Sequence, residues 1–387
     1  MKHAAGLFLC VLFLSSLLIP GTVSAADSNK DGTEEIQAEE YLDETLDYSE
    51  IQDTLSTVFP DEKIDFGDTV QKIISGDLSV TGKLVRSLIF EQLFHAWTDN
   101  RKSLIHMVLI AVITAVFTNF ADVLEAKQIS EISFYFLYML MLTICISGFQ
   151  SAVQWTEDGI RLLSAFMKAL CPVYFIAVSA AKGSLTAGAF YNLSLLVILA
   201  AELILLNVLL PFLQVYMMMK VMNHLSGEAY LTRFTELLET VLTWSMRTML
   251  AFVIGLNTIQ GLLAPVLDQV KRSVVTRGVE AIPGVGDAMG GTAEVIIGTA
   301  VVVKNGIGIA GAVICFAICL SPLVQTGLLV LLYRLAAAVL QPVSDQRMVS
   351  CIAGMADACQ LLMRLIFTAG MMFLLTIAIV AASTNGT

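Results

Sequence analysis

Apolar residues gather into seven runs, at about 104–120, 133–150, 162–180, 188–213, 240–264, 307–333 and 361–382, each parted from the next by polar or glycine-bearing residues. At 1.5 Å per residue a helix made from any of these runs is long enough to cross ~30 Å of hydrocarbon. An eighth stretch, Thr292 to Val303, is too short to span alone and ends at Lys304-Asn305-Gly306. It reads as a re-entrant or interfacial helix, or as half of a broken one. The pattern ahead of the runs is different. Ala4 to Ile19 forms an apolar core behind Lys2 and His3, shorter than a spanning helix, and Val23-Ser24-Ala25 follows as a small-residue cleavage site. Residues 1–26 therefore read as a signal peptide removed on export, which leaves residues 27–103 extracytoplasmic. Residues 27 to about 60 form an acidic tether, with helical character around Tyr41 to Val58. Further on, Val85, Leu88, Ile89, Leu93 and Ala96 recur at helical spacing opposite Lys83, Arg86 and Glu91, with Trp97 near the end. This pattern fits an amphipathic helix at the membrane surface or a packed helix of a small external domain. The expected fold is all-α: a polytopic transmembrane helical bundle over 104–387, with about seven spans and one short re-entrant or interfacial helix.

Composition sharpens this reading. The chain is 57% hydrophobic and 14% charged, against about 45–50% and 25% in soluble domains, so most of it needs lipid as solvent. The net charge of −11 is concentrated in one place. Residues 27–99 hold 18 acidic and 5 basic side chains, a net of −13, whereas residues 100–387 hold 15 and 16, a net of +1. That distribution excludes nucleic-acid binding, which needs clustered Lys and Arg. The seven cysteines form no C-x-x-C pair and none falls in the acidic external region, so neither a disulfide framework nor a metal site is expected. Gly82-Lys83 is followed by Leu84, which rules out a Walker A loop, and no H-E-x-x-H occurs. Gly284-Val285-Gly286-Asp287 spells the G-x-G-D of intramembrane aspartyl proteases, but no Asp lies inside an apolar run to share the proton. No catalytic residue and no cofactor are expected.

Ionisable residues within the apolar runs are few: Lys168, Glu202, Arg247 and Arg364, with Glu294 and Lys304 flanking the short stretch. A charge at mid-bilayer costs ~2.5–3.5 kcal/mol on insertion scales, so these groups should face protein or water. Glu202 is the most central. It reads either as part of a polar path or as half of a structural pair with Lys168 or Arg247. Pro172, Pro211, Pro265 and Pro322 lie inside or beside runs, where each removes a helical hydrogen bond and is expected to kink or break its helix. The most distinctive region is a glycine-rich insert over 282–311, from Ile282-Pro283-Gly284 to Gly311. Within it Glu294, Gly298, Val301 and Asn305 share one helical face, suited to close packing or to a polar path. With residue 27 outside, the first span runs inward. Counting seven spans then places Lys271, Arg272 and Arg277 inside, as the positive-inside rule prefers, and Lys220 and Arg233 outside, against it.

The 282–311 insert, the later Leu340-Gln341-Pro342-Val343-Ser344-Asp345 and the order of elements together resemble the stage III sporulation protein AE family over nearly the whole chain. The resemblance implies a multi-pass protein of an endospore former, in the mother-cell membrane that engulfs the forespore. It implies work in a secretion-like channel complex that links the two cells and supports forespore development. Expected partners are the other membrane proteins of the stage III sporulation A operon, a separate secretion-type ATPase and a forespore-side membrane protein. Within that complex the chain would be either the permease or export-gate part, or a non-conducting scaffold. The resemblance carries over no catalytic residues.

Overall fold

The computed structural model describes residues 46–58, 65–74, 127–182, 184–225, 231–279, 286–342 and 344–385, with seven residues between 105 and 116. Every regular element among them is helical. Two short helices, α1 (Ser49–Val58) and α2 (Phe66–Ile74), precede the long ones: α3 (Lys127–Lys182), α4 (Ser184–Ile204), α5 (Leu210–Leu225), α6 (Thr232–Val279), α7 (Gly286–Leu340) and α8 (Gln346–Asn385). The signal peptide, the amphipathic pattern of 83–97 and most of the run at 104–120 lie outside the described residues.

Five helical segments among the described residues are long and apolar enough to cross a membrane, against the seven spans expected: Phe134–Ala181, Tyr191–Asn223, Thr232–Ile259, Gly298–Leu340 and Gln346–Ala382. Part of the difference arises at 151–161, where the runs 133–150 and 162–180 join into one helix, α3, of 56 residues. The polar residues between them are one face of a continuing helix. Gln154, Asp158 and Arg161 are exposed there, while Ala152, Val153, Thr156, Gly159 and Ile160 are buried. Glu157 and Arg161, one turn apart, pair at 2.7 Å and support the helical backbone. The short stretch Thr292–Val303 is likewise not a separate element. It belongs to α7, which runs 55 residues through Lys304-Asn305-Gly306 without a break.

The prolines do not end their helices either. Pro172 lies inside α3 and Pro322 inside α7. Pro211 is accommodated differently: a π-helical turn, Leu205–Leu209, sits just before it, and the Leu210 N–H donates to the Leu205 carbonyl five residues back. A proline ring crowds the carbonyl four residues before it, and the wider turn relieves that crowding while α4 and α5 continue as one rod.

The core is a three-helix packing of α3, α7 and α8, flanked by α4–α5 and α6. α3 and α7 run antiparallel, and glycines set their spacing. Gly148 faces Tyr333, and a Cβ built on Gly159 would stand 2.7 Å from Pro322 Cγ. Further along, Gly311 abuts Leu170 and Gly308 abuts Tyr174. Small residues at these points let the backbones approach. Tyr333, almost fully buried, donates its hydroxyl to the Cys145 carbonyl at 3.2 Å, which fixes the α3–α7 register. α8 closes on α7 where Gly370 meets Cys319. It enters beside the start of α3, with the Arg347 guanidinium 5.6 Å from the Phe134 ring centre.

α1 and α2 form a small hairpin-like unit on this core. Asp47 caps α1 through the Ser49 N–H, and Gln52 Oε1 accepts the Phe66 N–H, tying α2 to α1. Burial of Leu46, Ile51, Leu55, Phe66 and Val70 supplies its apolar contact. α1 packs on α3 and α2 on α7, where Gly306 leaves room for Ile74 and Val70. Gly306 lies two residues before Gly308, whose α3 neighbour is Tyr174. The unit is therefore seated ~70 Å along α3 from Lys127.

Candidate membrane-embedded polar sites

Three groups of polar side chains sit on these apolar helices. On α3 and α4, Lys168 Nζ lies 2.5 Å from Glu202 Oε2, both half-buried. Arg161, two turns before Lys168 on the same face, is within electrostatic reach of the same carboxylate. Gln154, Asp158, Arg161 and Lys168 thus form a polar stripe along α3, with Glu202 placed against it from α4. Arg247 takes no part. It is exposed on α6 and has no ion pair among the described residues.

The second group joins four helices. Asp357 on α8 receives Lys220 of α5 at 3.5 Å and Arg334 of α7 at 3.8 Å. Arg334 also donates to Gln360. Beside them Tyr216 donates its hydroxyl to Glu239 of α6 at 3.3 Å, and the Lys220 ammonium lies 5.7 Å from the Tyr216 ring centre. Asp357 and Arg334 keep 45% and 57% of their side-chain surface open. Sequence reading missed this cluster because all four ionic members fall one to seven residues outside the apolar runs. The signal was nonetheless present. Lys220 and Arg334 lie near the ends of α5 and α7, whereas Glu239 and Asp357 lie near the starts of α6 and α8. In an up-and-down bundle those four ends meet on one side.

The third group lies in the former glycine-rich insert. Lys304 is fully buried, at 0% exposure. Asn305 is half-buried, and its Oδ1 has no hydrogen-bond partner among the described residues. Gly298 is exposed, with nothing among the described residues within 4 Å of where a Cβ would stand. The Glu294 side chain lies outside the described residues, although its backbone belongs to α7. Glu202 lies on α4 and Lys304 on α7.

Half-exposed charges on spanning helices have a chemical consequence. Pairing reduces the cost of placing Lys168 and Glu202 in hydrocarbon but does not remove it, because the pair still presents a dipole and open surface. Arg247 faces outward seven residues inside the run 240–264, ~10 Å of helix from its start, where a long side chain reaches the interface by snorkelling. Such surfaces are stable where protein or water covers them. Cys145, Cys171, Cys315, Cys319, Cys351 and Cys359 are all buried free thiols. Among the described residues no group of three or more His, Cys, Asp or Glu side chains is arranged to hold a metal ion.

Comparison with known proteins gives one consistent result. The family model described as "Stage III sporulation protein AE (spore_III_AE)" matches residues 64–384. The chain is similar to "Stage III sporulation protein AE" of Bacillus subtilis (strain 168), 21% identical over 390 residues, a match covering 98% of each chain. No solved structure matches it.

Proposed function

Because the chain belongs to the stage III sporulation protein AE family, we propose that it is an integral membrane subunit of the secretion-like channel complex linking mother cell and forespore. In this reading it is the permease or export-gate part. The observation that carries the proposal is the pair of half-exposed charges within spanning helices, Lys168 and Glu202. A chain that worked alone would leave them against lipid, whereas a subunit would have them covered by neighbours or by a shared aqueous path. The neighbours would be the other stage III sporulation A-operon membrane proteins, with a separate ATPase and a forespore-side membrane protein acting from either side. The chain would lie in the mother-cell membrane around the forespore, with its N-terminal region extracytoplasmic.

The position of α1–α2 supports that orientation. The unit sits at the end of the bundle opposite Lys127, so residues 75–126, which include the apolar run 104–120, connect the two ends. With the unit outside, the ends bearing Lys220, Arg233, Arg334 and Arg347 lie inside. This agrees with the positive-inside rule for those four residues, reverses the count from seven spans, and puts Lys271, Arg272 and Arg277 at the far end of α6 outside, against the rule.

Glu202→Gln, made in sporulating cells, tests the permease reading. We expect forespore gene expression to fall while the complex still co-purifies at wild-type amounts. A second reading, a non-conducting scaffold, is favoured by the close seating of α2 on Gly306. It requires Glu202→Gln to be silent and Gly306→Leu to disrupt assembly.

A further inference from the structure

α8 is enclosed on nearly all sides. None of its side chains from Met348 to Ala381 is exposed, and the half-buried ones lie along one face, with buried residues on either hand. That line changes chemistry once along its length. Asp357, Gln360 and Arg364 lie in its first part, and Phe367, Met371, Leu374 and Ala378 make up its second. α7 borders one edge, where a Cβ on Gly327 would stand 3.5 Å from Met363 Sδ. α5 borders the other, where Lys220 reaches Asp357. The line is therefore the floor of a narrow cleft, charged at one end and apolar along the rest.

The charged end has an excess of cations. Lys220, Arg334 and Arg364 gather there around Asp357 and Tyr216, and the second carboxylate, Glu239, accepts the Tyr216 hydroxyl. Three cations against two carboxylates leave a net positive charge. The contacts of Lys220 and Arg334 with Asp357, 3.5 and 3.8 Å, are longer than the ~2.7–3.2 Å of an N–H···O hydrogen bond. Both cations thus keep N–H groups for another acceptor. The depth is that of the interface: Asp357 stands four residues before the run 361–382, and Arg334 one residue past 307–333. The apolar floor from Phe367 to Ala378 covers eleven residues, ~16 Å of helix, which is about one leaflet of a ~30 Å hydrocarbon core. A partner helix does not suit this cleft. It would be ~10–12 Å across with its side chains, whereas the floor is a single line of half-covered residues. An acyl chain is narrow enough.

We infer that the cleft binds one anionic phospholipid, its phosphate diester held by Lys220, Arg334 and Arg364 and one acyl chain laid along Phe367, Met371 and Leu374. Basic recesses between spanning helices hold anionic headgroups in this way. The inference stands apart from the permease reading, which rests on Lys168 and Glu202.

The test uses the purified full-length chain in phosphatidylcholine vesicles that carry a minor share of phosphatidylglycerol with a photoreactive group near the end of one acyl chain. Mass spectrometry of the digested chain should find the label between Phe367 and Ala378, and the same group carried on phosphatidylcholine should label that stretch far less. Lys220→Gln and Arg334→Gln should each lower the labelling about fivefold, the effect of one charge at an anionic surface, whereas Arg334→Lys should retain most of it. Asp357→Asn should raise the labelling, because a competing carboxylate is gone; damage to the fold would lower it instead. Excess soluble glycerol phosphate should not compete, since it has nothing to place on the apolar floor. Equal labelling by the two lipids, labelling only elsewhere on the chain, or a yield indifferent to the charges at positions 220 and 334 would overturn the inference. So would loss of the label to glycerol phosphate, which would make the ligand a soluble anion, or a fall in labelling with Asp357→Asn.

Discussion

Glycine has two opposite surroundings on these helices, and substitution separates them. A Cβ on Gly159 would press on Pro322 at 2.7 and 3.1 Å, against a rigid ring that cannot rotate away. Gly159→Val should therefore force α3 and α7 apart and cost ~1–3 kcal/mol, as overpacking does. The measurement is the thermal midpoint of the purified chain in detergent. Gly255→Ala adds its methyl to open space on α6. It should leave that midpoint unchanged or raise it slightly, because Ala is the better helix former by ~1 kcal/mol. Equal losses at both positions would contradict the packing described for α3 and α7. Lys304 shows how local such reasoning must be. In the sequence it punctuates an apolar stretch, and in the fold its whole length is enclosed.

At the scale of the element, the helical class and the placement of most apolar runs were legible, because a long apolar stretch has few alternatives in lipid. Where helices end was not. Hydropathy treats Gln154, Glu157, Asp158 and Arg161 as an interruption, whereas only their clustering on one side of α3, with Thr156, Gly159 and Ile160 on the other, reveals continuity. Pro172 and Pro322 likewise do not end their helices, since neighbouring helices hold a proline-bearing backbone in place. The Lys168–Glu202 contact involves two residues already prominent in the sequence. The Asp357 cluster was hidden by its position beyond the apolar runs. Asp357 joins α5, α7 and α8 through Lys220 and Arg334, so Asp357→Asn should loosen all three helices together. The expected loss is roughly 0.6–1.7 kcal/mol, the range of single polar contacts between membrane helices. Limited proteolysis of the loops after α5 and α7 should report it as faster cleavage, and unchanged rates would show that the cluster carries no structural load.

For the whole molecule, the decisive quantity is which ends share a side of the membrane. Ser49 belongs to the unit seated by Gly306, whereas Gln346 opens α8 at the opposite end, beside the start of α3. In a cysteine-free background, Ser49→Cys should react with an impermeant maleimide in intact protoplasts, and Gln346→Cys only after permeabilisation. Labelling of both from outside would require an additional crossing and return the count to an arrangement closer to seven spans. The glycine contacts carry one more consequence. Gly148, Gly159 and Leu170 on α3 are eleven residues apart, as are Tyr333, Pro322 and Gly311 on α7. Eleven residues complete three turns at ~3.67 each, so the line of contact hardly drifts, and any residual winding is right-handed rather than left-handed. The contact line from Gly148 to Leu170 runs ~33 Å along α3. Together they form a strut: a push on the α1–α2 unit at Gly306 reaches the charged crossing at Arg334 as displacement, with little absorbed as twist.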